Sequence, residues 1–271
     1  GLRLHDADLL IDRVKNSHLK AMVGFNLRRH RLIQQARQIL QKSDFGKLQM
    51  IRSVLSGYHE DVPEWRKRRE SGGGVLFEQA VHQFDLWRYL LGSEIEEVSA
   101  ISRSAKWDDE TATVTARLTN GVLASSAFSQ VAKACNEVEI YGEERWLRVD
   151  CYRFDGLEHA SSLSQPGSIK SRLKSIGSTL RALPRGILGL RYDGDFVDSY
   201  RAEWRHFAEA IRNDTPIEST LEDGRSALQA ALAAVKSLTT GTSVKVCPAS
   251  VAREQASVRL SFSSDSQLDC E

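Results

Sequence analysis

The 271-residue chain predicts an α+β fold: an open, mostly antiparallel sheet with helices on one face, preceded by a single closing αβ unit of a parallel sheet. Three observations predict it. Period-two runs of apolar residues succeed one another between residues 98 and 150, joined by short turns, as in an antiparallel meander. Helical spacing appears on both sides of these runs, so the helices have one sheet to cover. At the start of the chain a helical pattern passes directly into a short apolar segment, as when an αβ unit closes a parallel sheet.

Residues 6–17 carry Ala7, Leu10, Ile11 and Val14 at helical spacing, and 19–26 reads as a short buried strand ending near Gly24. Arg29 to Lys42 is the next helix, with Ile33, Ala36 and Leu40 inward, and Leu48 to Gly57 alternates as a strand. Asp61 to Glu70 is a charged loop around Trp65-Arg66, followed by Gly72-Gly73-Gly74 and a helix over 75–91. The period-two runs are 98–104, 111–118, 122–130, 137–141 and 146–150, with Asn120-Gly121 as a two-residue hairpin signal. Helices at 200–212 and 222–239 follow, punctuated by Asp214-Thr215-Pro216 and Gly241. Residues 161–192 form an insertion whose stretch 169–183 reads as a basic amphipathic helix. It suits a cover for the sheet or a subunit contact, or else a membrane-surface or phosphate-binding role. The domains are therefore 1–28, then 29–250, then a serine-rich tail over 251–271 that is expected to be partly disordered.

Composition narrows the function classes. The formal charge is +1, from 37 basic and 36 acidic residues, which gives no electrostatic footprint for nucleic acid. Cys135, Cys151, Cys247 and Cys270 are dispersed, without zinc-ligand spacing, as expected of a protein in a reducing cytoplasm. No apolar run reaches membrane-spanning length, so a membrane partner is not expected.

The helix over 75–91 carries the chemistry. At about 100° per residue, Glu78, His82, Asp85 and Tyr89 fall within roughly 60° of one another. Phe77, Ala80, Phe84, Trp87 and Leu91 cluster around the other face. A carboxylate one turn from an imidazole can hold one tautomer and raise its basicity, as a general acid/base near neutral pH requires. The plainer reading is a helix whose His and Asp cap neighbouring loops. A metal-dependent hydrolase built on Glu78 and His82, with His59 or Asp61 as further ligands, lacks the His- or Cys-rich set that zinc prefers.

Several stretches in order carry a resemblance: Met22-Val-Gly24-Phe25-Asn26, Gly46-Lys47, Trp65-Arg66, Gly72-Gly73-Gly74 and Glu78-xxx-His82-xx-Asp85. Glu110-Thr111-Ala112, Asn120-Gly121, Glu139-Ile-Tyr-Gly142 and Glu203-Trp204-xx-Phe207 to Gly224 continue it. Over nearly all of 6–245 the chain resembles the oxidoreductases related to glucose–fructose oxidoreductase and inositol dehydrogenase, the Gfo/Idh/MocA family. The resemblance implies an NAD- or NADP-dependent enzyme that transfers hydride between nicotinamide and a secondary alcohol or ketone of a sugar, cyclitol or related polyol. It also implies a homo-oligomer paired through the open sheet. It places His82 as the catalytic acid/base, Glu78 as its catalytic partner, and Asp85 as support behind them. Trp65, Arg66 and Asn26 are implied at the cofactor, and Arg28 at the substrate. The family more often has Asp where Glu78 stands.

Two family segments are absent from these residues: the Gly-x-Gly-x-x-Gly pyrophosphate cradle and the Glu-Lys-Pro lysine. The expectation is a substrate domain preceded by only the last αβ unit of a truncated Rossmann-like domain, itself inactive and binding NAD(P) poorly. The alternative is a non-catalytic assembly or ligand-binding domain.

Overall fold

A computed structural model of the chain describes residues 2–42, 44–164 and 194–246, with positions 177, 180, 183 and 184 between them. Helix α1 (Leu4–Lys15) is followed by a 3-10 turn (Asn26–Arg29) and α2 (Arg31–Leu40). Strand β1 (Leu48–Tyr58) leads to the short α3 (Glu64–Lys67), α4 (Val75–Glu78) and α5 (Ala80–Leu91). The meander is β2 (Ile95–Arg103), β3 (Thr111–Leu118), β4 (Leu123–Ser129), β5 (Val131–Gly142), β6 (Arg145–Asp150) and β7 (Leu157–Ser161). Helices α6 (Gly194–Asn213) and α7 (Leu221–Thr240) and the two-residue β8 (Val244–Lys245) complete the described fold.

The eight strands form one sheet in the order β7-β6-β5-β1-β4-β3-β2-β8. Every pairing is antiparallel except β1 with β4, which run parallel from Met50↔Leu123 to Ser56↔Ser129. The meander thus opens to admit β1 between β4 and β5. Alternation decides the faces: Ile51, Val98, Val114, Ala124, Val138, Ile140 and Leu147 are buried under the helices. On the other face Met50, Val54, Ile101 and Leu123 are exposed. Helix α5 covers the centre of the sheet with Phe84 and Trp87, both fully buried. The Trp87 indole N–H donates to Ser53 Oγ at 3.3 Å, so the buried ring leaves no stranded donor. Helix α7 packs against β2 and α5 through Ala230, Ala231 and Ala234, small residues that let backbones approach closely. Its first turn is closed by a capping box between Thr220 and Asp223.

The fold class is as expected, and three local readings are corrected. Residues 19–25 lie in no sheet among the described residues: Val23 N–H donates to Ser219 O at 2.9 Å, and Leu19 is exposed. A strand needs a neighbour for its ladder, and none of the described strands lies beside this segment. The helix over 75–91 is two helices, broken at Gln79 (φ −107°, ψ −44°). Two edge strands were not expected: β7, in which no residue is buried to mark an inner face, and β8, which has only two residues. The basic stretch 169–183 and the tail 251–271 lie outside the described residues, apart from isolated positions.

Candidate active site

The end of the sheet where β1 and β4 finish and β3 and β5 begin gathers the candidate residues. Ser56 and Ser129 stand in register there, as do Thr111 with Ser129 and Tyr58 with Val131. The loop 59–74 folds over this end and delivers α4. The triple glycine is what allows it: a Cβ on Gly73 would lie 2.1 Å from the Arg66 carbonyl oxygen. A Cβ on Gly74, which has φ +82°, would lie 2.9 Å from the Asp108 carbonyl. The glycine run is therefore filled by the chain's own backbone and is not a pyrophosphate cradle. Among the described residues nothing else supplies one.

Glu78 ends α4 and turns toward this packed loop. Its Oε2 accepts from Arg66 Nε at 2.7 Å, from Arg66 Nη2, and from Gln130 Nε2 at 3.0 Å. Its Oε1 is buried without a hydrogen-bond partner. Among the described residues no hydrogen bond joins Glu78 to His82, although the two were expected to form an acid–imidazole pair. The guanidinium offers a charge-assisted, two-pronged donor set that a neutral imidazole cannot match. The helix break at Gln79 lies between Glu78 and His82, and Gln79 Nε2 donates to Ser129 O at 3.5 Å.

His82 sits in the first turn of α5, half-buried, with the Phe25 ring edge-on at 5.9 Å between centroids. Burial lowers its pKa below the ordinary 6.5, so the imidazole is neutral at neutral pH. A neutral imidazole can accept a proton, the property needed of a base in alcohol oxidation.

Asp85 and Arg28 lie one turn on. Arg28 donates to Asp85 through Nε at 2.8 Å and Nη2 at 2.5 Å, and to Glu218 O through Nη1 at 2.6 Å. Asp223 is 3.1 Å from Nη2, and the Tyr89 ring lies under the guanidinium at 5.1 Å. Burial raises the Asp85 pKa while the Arg28 guanidinium opposes it. Arg28, expected at the substrate, is thus drawn inward as a strut between α5 and α7. Asn26, expected at the cofactor, is also buried and donates to Ser199 Oγ at 2.8 Å. Trp65 is exposed at the rim of the loop. Glu78, Arg66 and His82 are brought to the sheet end, Asp85 and Arg28 form a separate cluster, and Asn26 anchors α6.

Gln130 and Trp107 escaped the sequence reading. Gln130 is the one residue between β4 and β5, where a turn residue would have marked a boundary and none stands. Trp107 Nε1–H donates to Gln130 Oε1 at 2.7 Å. Among the described residues no three His, Cys, Asp or Glu side chains converge to hold a metal ion, and no helix is long and apolar enough to cross a membrane.

Residues 33–148 match the model of the GFO/IDH/MocA C-terminal domain. The chain is 26% identical over 258 residues to myo-inositol 2-dehydrogenase of Thermotoga maritima, covering 91% of this chain and 70% of that protein. It is 25% identical over 248 residues to scyllo-inositol 2-dehydrogenase (NAD(+)) of Bacillus subtilis, covering 90% and 68%. Among solved structures, levoglucosan dehydrogenase in complex with NADH and levoglucosan shares the fold with a TM-score of 0.74 at 21% identity, over 91% of this chain and 71% of that one. The WlbA dehydrogenase of Bordetella pertussis, in complex with NADH and UDP-GlcNAcA, shares it with a TM-score of 0.71 at 19% identity, over 91% and 70%. The sheet and these likenesses agree with the match of residues 33–148 to a Gfo/Idh/MocA C-terminal domain.

Proposed function

We propose that the chain is the substrate domain of an NAD(P)-dependent oxidoreductase acting on a secondary alcohol or ketone of a sugar, cyclitol or related polyol. The observation that carries this reading is the polar asymmetry at the sheet end. Glu78, held through Oε2 by Arg66 and Gln130, stands four residues before an imidazole kept neutral by burial. An alcohol needs both features: an acceptor to orient a hydroxyl and a base to take its proton. Nicotinamide, when bound, would supply the hydride acceptor.

In this reading His82 takes the hydroxyl proton in oxidation and returns it in reduction. Glu78 anchors a substrate hydroxyl, and Arg66 holds Glu78. Asp85 and Arg28 stiffen α5 beneath His82. Trp65, exposed at the rim, faces the cofactor side. Residues 1–28 contribute the final helix and extended segment of the nucleotide-binding layer. The apolar residues on the uncovered sheet face, Met50, Val54, Ile101 and Leu123, form the surface through which copies pair. The dispersed cysteines suit a reducing cytoplasm. Sedimentation of the protein would test the pairing, which predicts a dimer or larger assembly weakened by Ile101→Glu.

The test of the chemistry is reduction of NAD and NADP by the protein with myo-inositol, scyllo-inositol, glucose and levoglucosan. Turnover with at least one of them is expected once a nucleotide-binding segment is supplied, whereas the chain alone is expected to bind the polyol without turning it over. No turnover with any polyol or sugar, together with no binding of them, would sink the proposal.

A further inference from the structure

Helix α6 turns one edge inward and a second, apolar edge to solvent. At about 100° per residue, Ser199, Glu203 and Ala210 fall together, and they are the residues it buries. Val197, Tyr200, Ala208 and Ile211 fall within about 40° of Trp204, and all five are exposed, Trp204 by 68%. Steps of three and four residues are those of a seam between two packed helices. The seam runs about 21 Å at 1.5 Å per residue. Edge-on ring contacts of 5.7 Å from Tyr200 to Phe196 and 5.1 Å from Phe196 to the exposed Tyr152 widen it at one end. Leu180 and Leu183, in the stretch that leads to α6, are themselves exposed and do not cover it. A contiguous apolar patch of this kind marks a surface that meets another.

The pattern of the stripe says which surface that is. When α6 is laid antiparallel on its own copy about a two-fold axis at Trp204, Val197 stands opposite Ile211 and Tyr200 opposite Ala208. Such an axis, perpendicular to both helices, keeps their charged flanks on the same side. Asp198, Arg201, Glu209 and Arg212 all lie on one flank, about 60–140° from Trp204. Across the axis Arg201 comes opposite Glu209, and Asp198 opposite Arg212; Arg205 alone comes opposite itself. Within one chain Arg201 pairs with Asp198 at 2.8 Å, both side chains half-exposed, a pair of the kind that contributes little. A face complementary to its own copy is what a two-fold dimer requires. Covering the seam and its flanking ring in two copies removes on the order of 1,000 Å² from water, the lower end for a specific interface.

We propose that α6 pairs with α6 of a second copy, antiparallel, about a two-fold axis at Trp204. This contact is separate from the sheet face of Met50, Val54, Ile101 and Leu123, and it does not depend on the chain's chemistry.

Sedimentation equilibrium of the full chain tests it. Trp204→Glu changes an exposed position and should halve the mass of the wild-type assembly. The product is a monomer where α6 pairs alone and a dimer where the sheet face pairs as well. Ile101→Glu acts on the sheet face only, so the failure of one contact is distinguishable from the failure of the other. Should Trp204→Glu lose the wild-type circular dichroism, Ile211→Glu at the end of the seam gives the same reading. Arg201→Glu and Glu209→Arg should each weaken association by about tenfold or more through like charges across the axis. The two together should recover it, because the antiparallel arrangement sets each position against the other. A monomeric wild type, or a mass that Trp204→Glu and Ile211→Glu leave unchanged, overturns the proposal and assigns the stripe to another segment or another protein. A charge exchange that fails to recover association overturns the antiparallel axis and the proposal with it.

Discussion

Two ion clusters flank His82, one at the sheet end and one between α5 and α7, and they spend their hydrogen bonds differently. In the cluster of Arg28, Asp85, Arg88 and Asp223, Arg28 has a partner on each of Nε, Nη1 and Nη2, and both oxygens of Asp85 are used. In the cluster of Arg66, Glu78 and Gln130, three donors crowd onto one carboxylate oxygen and the other is left over. The first arrangement is closed and can only hold helices together. The second has acceptor capacity to spare, at an interior position where an unmet acceptor costs about 1–3 kcal/mol. Both clusters are neutral overall, so net charge does not tell them apart; the count of satisfied atoms does.

The contrast can be broken in order of expected effect. His82→Ala should lower polyol-dependent NAD(P) reduction by about two to four orders of magnitude with little change in unfolding midpoint. Equal losses of activity and stability would mean that His82 is packing. In the closed cluster, Arg28→Ala strands two carboxylates in the interior and should cost about 3–5 kcal/mol in urea unfolding. A loss below about 1 kcal/mol there would show that Arg88 suffices and that the cluster is less closed than its geometry implies.

Glu78→Gln sharpens the comparison from the open side. It retains the size of the side chain but weakens the charge-assisted bond to Arg66, which is worth about 1.5–3 kcal/mol for such pairs. Polyol KM should rise about tenfold, while urea stability falls by less than for Arg28→Ala. The reverse ranking would exchange the roles of the clusters.

The pH dependence gives the smallest effect. His30 caps α2: its Nδ1 accepts from Leu32 N–H at 3.3 Å while Nε2 donates to Cys151 O at 3.1 Å. The Nδ1 contact needs the neutral ring, because a protonated imidazole has no acceptor nitrogen, and burial lowers the His30 pKa below 6.5. The unfolded chain then binds the proton more readily than the folded one. The contribution to stability is complete above pH 6.5 and is lost as pH falls through the depressed folded-state value. Urea midpoints should therefore drop between pH 7.5 and 5, and His30→Gln should flatten that drop. The lowered pKa of His82 acts in the same direction on turnover: in alcohol oxidation the acid limb should lie below pH 6.5.

Much of the fold was legible because its signals are local. Phe84, Trp87 and Ala80 repeat at helical spacing and are among the residues that α5 buries. The alternation over 111–118 and the Asn120-Gly121 turn mark β3 and its hairpin to β4. The site was legible only in part. Glu78 and His82 announced themselves by spacing, but Glu78 bonds Arg66, 12 positions away, and Gln130, 52 positions away. No periodicity encodes either distance. Arg28 was misjudged for the same reason: its partner Asp85 is 57 positions on, and a basic residue near a cleft looks the same whether it faces outward or inward.

By itself the sequence determined which residues alternate, which stripe is apolar and which segment carries an acid and an imidazole four apart, because backbone period and side-chain chemistry are properties of neighbouring residues. Tertiary structure decided the rest. Inserting β1 between β4 and β5 brought Gln130 under Glu78, and the packed triple glycine brought Arg66 over it. A carboxylate bonds to whichever donors the fold delivers, and delivery depends on how distant segments close around a common core.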